Sequence, residues 1–152
     1  MDLMPYWRGV RAEVAGLPEQ VPEAWAFGAE PTQADELLAL VLAGIKSATA
    51  SSLWDYEAEG EPLPTAGDLS ILQDGRGEPR AVIRTTDVHV APFCEVGAGH
   101  ACAEGEGDRS LAHWRAVHEQ FWRQHSPGGR GFDDQMPVVC ERFTLVHPLP
   151  PN

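Results

Sequence analysis

Basic residues are scarce in this chain: 11 Lys+Arg stand against 23 Asp+Glu, for a formal net charge of -12. Nucleic-acid polymers are held largely by cations that neutralise phosphates, so DNA is excluded as a partner. Only local patches, such as Arg76, Arg80 and Arg84 or Arg123 and Arg130, remain for a strand of RNA. A small neutral ligand suits the charge better. Cysteine is also sparse. Cys94, Cys102 and Cys140 are odd in number and not closely paired, which excludes a disulfide framework or a zinc knuckle and predicts buried, reduced thiols. The acids flanking Cys94 and Cys102 oppose thiolate formation, so neither is expected as a nucleophile. The six histidines are scattered, and His113 and His118 are one residue too far apart for a helical metal pair. Neither a metal nor a cofactor is expected. No apolar run approaches a membrane span, and the residues after Met1 lack a basic region followed by an apolar core. A cytoplasmic location without membrane contact is the resulting expectation.

What is present is ordinary for a globular protein: 152 residues, 43% of them hydrophobic, enough for one sizeable core. The stretch to about Gly28 mixes Tyr6, Trp7, Trp25 and Phe27 with prolines and predicts one short helix followed by an irregular segment. Thr32 with Asp35 starts a helix over Thr32–Ala43, whose apolar face is Leu37, Leu38, Val41 and Leu42 and whose stop is Gly44. Ala48 to Leu53 reads as a short strand, followed by an acidic, proline-bearing loop from Glu57 to Pro64. Leu69 to Leu72 and Arg80 to Val90 read as antiparallel strands joined at Asp74-Gly75. A polar loop, Glu104 to Asp108, leads into a helix over Ser110–Arg123 with Leu111, Trp114, Val117, Phe121 and Trp122 at helical spacing. The Gly-rich linker Ser126 to Gly131 precedes a last strand, Val138 to Val146, and the tail from Pro148 is expected to trail into solvent. Strands outnumber helices, which predicts an α+β fold: a small, mostly antiparallel sheet or barrel with flanking helices.

The stretch from Gly44 to Ser51 carries the chemistry. A glycine ends the helix, Lys46 follows, and Thr49 stands three residues on. Lysine beside a hydroxyl has two uses. It can hold an anionic or carbonyl ligand, or lose a proton and activate the threonine as a nucleophile. An exposed lysine on a turn before a strand is the alternative, and Lys-x-x-Thr alone does not decide between them.

Leu42 to Thr49, Gly67-Asp68, Phe93 to Glu95, Ala103 to Ser110 and the closing Glu141 to Phe143, in that order, resemble the ASCH family over most of the chain. The resemblance implies one domain over 1–152, with 1–28 an N-terminal extension packed on a PUA-like, mostly antiparallel β-barrel of about five or six strands. It implies two activities. Some relatives are amidohydrolases that remove the acetyl group from the exocyclic amine of acetylcytidine. Others bind or cleave single-stranded RNA. In the hydrolase the working residues are a lysine, a threonine three positions on and a downstream glutamate, which here fall on Lys46, Thr49 and Glu104, with Glu106 and Glu95 as neighbouring candidates. Trp54, Trp25 and Arg84 are expected near the substrate, the indoles as surfaces for a base. A carboxylate close to a lysine favours the charged amine and so opposes its use as a base. The expected protein is thus an amidohydrolase of an N-acylated cytidine nucleoside, and the alternative is an RNA-binding module.

Overall fold

Proline opens the first two helices, and glycine ends the one that leads to Lys46. The computed structural model describes residues 2–126 and 129–149. The linker residues 127–128 and the tail residues 150–152 lie outside the described residues, as does residue 1. Helix α1 (Met4–Glu13) carries Pro5 in its first turn and α2 (Pro31–Leu42) begins on Pro31, where a fixed φ suits the helix and no N–H is needed. Gly44 follows α2 at φ 78°, a left-handed conformation that glycine adopts freely. The remaining elements are β1 (Glu23–Trp25), β2 (Ala48–Ser52), α3 (Leu53–Glu59), β3 (Leu69–Gln73), β4 (Pro79–Pro92), α4 (Ala98–Glu104), α5 (Leu111–Gln124) and β5 (Pro137–His147). A turn of 3-10 helix, Phe93–Glu95, joins β4 to α4.

The strands form one five-stranded sheet in the order β1-β3-β4-β5-β2. Three of its pairings are antiparallel, and the long β4 spans both its partners, β3 and β5. The turn between β3 and β4 is set by Asp74, whose Oδ1 accepts from the amides of Arg76 at 2.9 Å and Glu78 at 3.0 Å. The fold is α+β, as expected, with the sheet curled into a half-barrel whose two edges are β1 and β2. Edge β1 corrects the sequence reading. It lies in the segment expected to be irregular, and it pairs parallel to β3. A second correction is α3, which occupies the start of the expected acidic loop and ends on Gly60 at φ 68°.

Three apolar clusters hold this arrangement. Trp7 and Val10 of α1 pack with Leu17 on Ile71 and Val82. Leu38 and Val41 of α2 pack on Leu72, Ala81, Ile83 and Phe143. Trp114 and Trp122 of α5 pack with Phe93, Met136, Val138 and Cys140. The helices α4 and α5 therefore cover one face of β5, and the opposite face looks towards the opening between the sheet edges. The thiols also need correction: Cys140 is buried, but Cys94 and Cys102 are exposed, and all three are free. Burial pushes the Cys140 thiol up to about 11, with the Glu104 charge adding to it and Arg142 opposing.

Candidate active site

Lys46 is held at the end of α2 by its backbone. Its amide and that of Ile45 both donate to the Leu40 carbonyl, at 3.1 and 2.9 Å. The side chain turns inwards and is 1% exposed. Nζ lies 3.1 Å from Glu106 Oε2 and 3.5 Å from Glu104 Oε1, and the Phe27 ring is 5.2 Å away. Both carboxylates arrive from the end of α4. The Ser47 amide donates to the Ala103 carbonyl at 2.8 Å, which docks that helix end against the start of β2.

Gly105 makes the approach possible. It sits at φ 76°, and a Cβ there would lie 2.7 Å from the Ile45 carbonyl oxygen. Gly105→Ala combines a left-handed backbone cost of roughly 1–2 kcal/mol with a clash against backbone that cannot give way cheaply. Denaturant unfolding should show a loss at least that large. The same change in Gly99, where an added Cβ meets nothing within 4 Å, should raise stability slightly or leave it alone.

Glu104 is 1% exposed and fully engaged. Its Oε2 is 2.6 Å from His100 Nε2, its i-4 neighbour on α4, and accepts from the Trp114 indole. Its Oε1 faces His118 Nε2 at 3.4 Å as well as Lys46. Burial alone would push this carboxyl up. The hydrogen bonds of His100 and His118 and the charges of His118 and Lys46 outweigh burial and hold it well below the usual range. Glu106 differs in exposure: its side chain is 19% exposed and reaches the cavity.

Helix α5 brings the imidazole. Ser110 caps it, accepting from the His113 amide at 3.1 Å. Trp114, His118 and Trp122 follow at i, i+4 spacing on one face. The His118 ring stacks on Trp114 with centroids 4.3 Å apart. Its Nδ1 is 2.8 Å from the Trp114 carbonyl, which can only accept, and its Nε2 faces a carboxylate. The carbonyl therefore places a hydrogen on Nδ1, and the carboxylate favours a second on Nε2. Burial alone would push the ring's pKa down. The hydrogen bond and charge of Glu104, the Trp114 carbonyl and the Glu106 charge raise it above 6.5.

These opposite shifts set a pH dependence. A raised imidazole contributes stability that is complete below its ordinary 6.5 and is lost as pH climbs through the raised value. A depressed carboxyl contributes stability that is complete above its ordinary 4.5 and is lost as pH falls through the lowered value. Unfolding curves from about pH 4 to about pH 9 should show a plateau bounded on the alkaline side by His118. In His118→Gln that alkaline decline should disappear.

Glu104, Glu106 and His118 also offer three donor atoms within 4.8 Å of one another. Two carboxylates and an imidazole are a set that divalent cations take. As arranged, the Lys46 amine lies 3.1 Å from one carboxylate and 3.5 Å from the other and already supplies them with a cation.

Two cavities meet at Thr49. One, of about 80 Å³, is lined by Lys46, Glu104, Glu106, His118, Phe27 and Thr49 among others. The other, of about 480 Å³, lies at the opening between the sheet edges, with Trp25 of β1, Thr49 and Ser51 of β2, and Tyr56 of α3 in its wall. Lys46, Thr49 and Glu104 thus share one cavity and Trp25 lines the next. Trp54 packs against the α5 cluster, with the Arg130 guanidinium 4.2 Å over its ring, and lines neither cavity. Arg84 is exposed on β4 and also lines neither. Sequence reasoning did not single out His100, and it set His118 aside as a metal ligand without giving it another role. The signal for His118 was a histidine set within the apolar stripe of α5.

A family model described as the ASCH domain matches residues 23–147. The structure is similar to the crystal structure of an ASCH domain from Lactobacillus crispatus, at 29% identity, TM-score 0.84, and coverage of 93% of this chain and 92% of that one. It is equally similar, at TM-score 0.84, to a protein of Enterococcus faecalis V583 that is 34% identical and covers 94% of this chain and 88% of its own. No curated protein matches the chain.

Proposed function

The chain belongs to the ASCH domain family, and from that premise we propose that it is an amidohydrolase that removes the acyl group from the exocyclic amine of an N-acylated cytidine nucleoside. The observation that carries this reading is the buried Lys46 amine, paired with Glu106 at 3.1 Å in a cavity that Thr49 also lines. A solvated lysine on a turn would need none of it. Ion pairs this deeply buried are costly to assemble and contribute little net stability, so a chemical role accounts for them better than a structural one.

The chemistry follows from the pair. Lys46 passes a proton to the Glu106 carboxylate, and the neutral amine then takes the Thr49 hydroxyl proton as Oγ attacks the acyl carbon. The C–N bond breaks with the proton on Glu106 going to the departing nitrogen, which leaves as the exocyclic amine of cytidine. Lys46 then passes its proton to Glu106 again, the neutral amine takes a proton from the water that attacks the Thr49 ester, and that proton goes to Thr49 Oγ as the carboxylic acid leaves; the proton on Glu106 returns to Lys46. A carboxylate beside the lysine opposes base catalysis only if it keeps its charge. Here it takes the proton and returns it to the leaving group. Glu104, held by His100, Trp114 and His118, keeps Lys46 in place at the wall of the same cavity.

Purified protein should convert acetylcytidine to cytidine, followed by the change in ultraviolet absorbance. The rate should be unaffected by chelator, since the two acids already have a cation in Lys46. It should vary little with salt, because the substrate is neutral. No turnover of any acylated cytidine, with RNA binding that falls steeply as salt rises, would instead establish the binding module. Against that module stands the net charge of -12.

A further inference from the structure

The two cavities at Thr49 differ in size and lining, and the difference has a consequence for what the protein accepts. About 80 Å³ is too small for a nucleoside and suits an acetyl group, whereas about 480 Å³ falls within the range of small-molecule sites, roughly 300–1,000 Å³. Thr49 alone is shared by the two linings. The larger cavity has aromatic walls in Trp25 and Tyr56 and acids in Glu23, Glu59, Glu61, Asp68 and Glu141, and neither lysine nor arginine lines it.

Glu141 stands apart among these acids. It pairs with Thr49 across β2 and β5, so the two side chains leave the same face of the sheet as nearest cross-strand neighbours. It is 7% exposed, and one of its oxygens accepts from the Thr85 hydroxyl at 2.7 Å. Among the described residues no other side chain hydrogen-bonds to it and no cation pairs with it. A carboxyl buried without a counter-charge is unfavourable unless something binds it. Burial pushes it above the usual carboxyl range, with Thr85 opposing and the Asp68 charge adding, so it is well suited to a polar, uncharged partner.

We propose that the larger cavity is the subsite for the nucleoside half of the substrate, that Glu141 is its buried anchoring carboxyl, and that its acidic wall rejects phosphorylated ligands. This rests on the amidohydrolase reading for the position of the scissile bond, and not for the subsite itself. The acyl group enters the Lys46 side and the base lies between Trp25 and Tyr56. The free oxygen of Glu141 receives a hydrogen bond from the ligand's N–H or O–H donors. A 5′-phosphate would meet carboxylates with no cation to offset it.

Cytidine is the probe, titrated calorimetrically into the full chain and into Glu141→Gln. The substitution keeps the side-chain shape and should weaken cytidine binding by roughly tenfold to a hundredfold, the loss expected for a hydrogen bond to a charged or polar carboxyl. In turnover of acetylcytidine it should raise KM by a similar factor and change kcat much less. Acetylcytidine monophosphate should be a poor substrate, and reversing the exposed rim pair with Glu59→Lys and Glu61→Lys should improve its use without touching the core. Unchanged cytidine affinity in Glu141→Gln would overturn the proposal, as would equal use of the nucleoside and its monophosphate. If Glu141→Gln does not fold, the rim pair alone decides. Cytidine binding that depends on Glu141 in a protein that hydrolyses nothing would leave the subsite standing and sink the hydrolase. Turnover that depends on Lys46 and Thr49 with a KM indifferent to Glu141 would do the reverse.

Discussion

Thr49→Ala is expected to reduce acetylcytidine turnover to background, and Lys46→Ala to reduce it by roughly a hundredfold to ten-thousandfold, the usual contribution of a general base. Both effects should fall on kcat, because the two side chains carry the acyl and proton transfers and do not hold the nucleoside. Lys46→Arg should fail as completely as alanine. A guanidinium keeps its charge and could still pair with Glu106 and Glu104, but it cannot take the threonine proton. The arginine variant therefore separates a base from a mere counter-ion. Thr49 is half-buried on an edge strand, so its loss should leave the unfolding curve almost unchanged.

Glu104→Gln should show the opposite pattern, a large loss of stability together with a loss of rate. The amide is close in shape but carries no charge, and it leaves the His118 ring and the Lys46 amine buried without their shared carboxylate. Breaking one side of a buried ion pair costs about 3–5 kcal/mol, which denaturant unfolding measures directly. Lowering the pH should give the same destabilisation in the parent protein as Glu104 takes up a proton. Glu106→Gln should cost little stability, since its carboxylate reaches solvent, and should abolish proton delivery to the leaving amine. If Glu104→Gln lost rate alone and kept full stability, the carboxylate facing the substrate would be Glu104.

The parts of this molecule that can be read from sequence are those whose determinants are local. Helix α2 shows its apolar face and its glycine stop within a dozen residues, α5 shows Ser110 and its aromatic spacing, and the β3–β4 turn shows Asp74. Strand β1 escaped because three residues carry no period and its pairing with β3 is made far along the chain. Helix α4 escaped because Ala98–Glu104 is short and rich in small residues. Reading Glu104 to Asp108 as a polar loop gave no sign that Glu104 is the best-buried acid among the described residues. What buries it is assembled from three segments: Lys46, 58 residues earlier, His100 on the same helix, and Trp114 with His118 on the next. The family resemblance brought Lys46, Thr49 and Glu104 together as candidates. It could not separate Glu104 from Glu106, because both line the cavity and they differ only in how deeply each is buried and what holds it.

Partition of the acyl group tests the central claim, that Thr49 carries it, most directly. Acetylcytidine is turned over in the presence of increasing hydroxylamine, and cytidine and acetohydroxamate are measured together. An ester on Thr49 predicts that hydroxamate forms at the expense of acetate in rising proportion, and that Thr49→Ala yields neither product. Cytidine released by Thr49→Ala at the parent rate, with no hydroxamate at any hydroxylamine concentration, would contradict it.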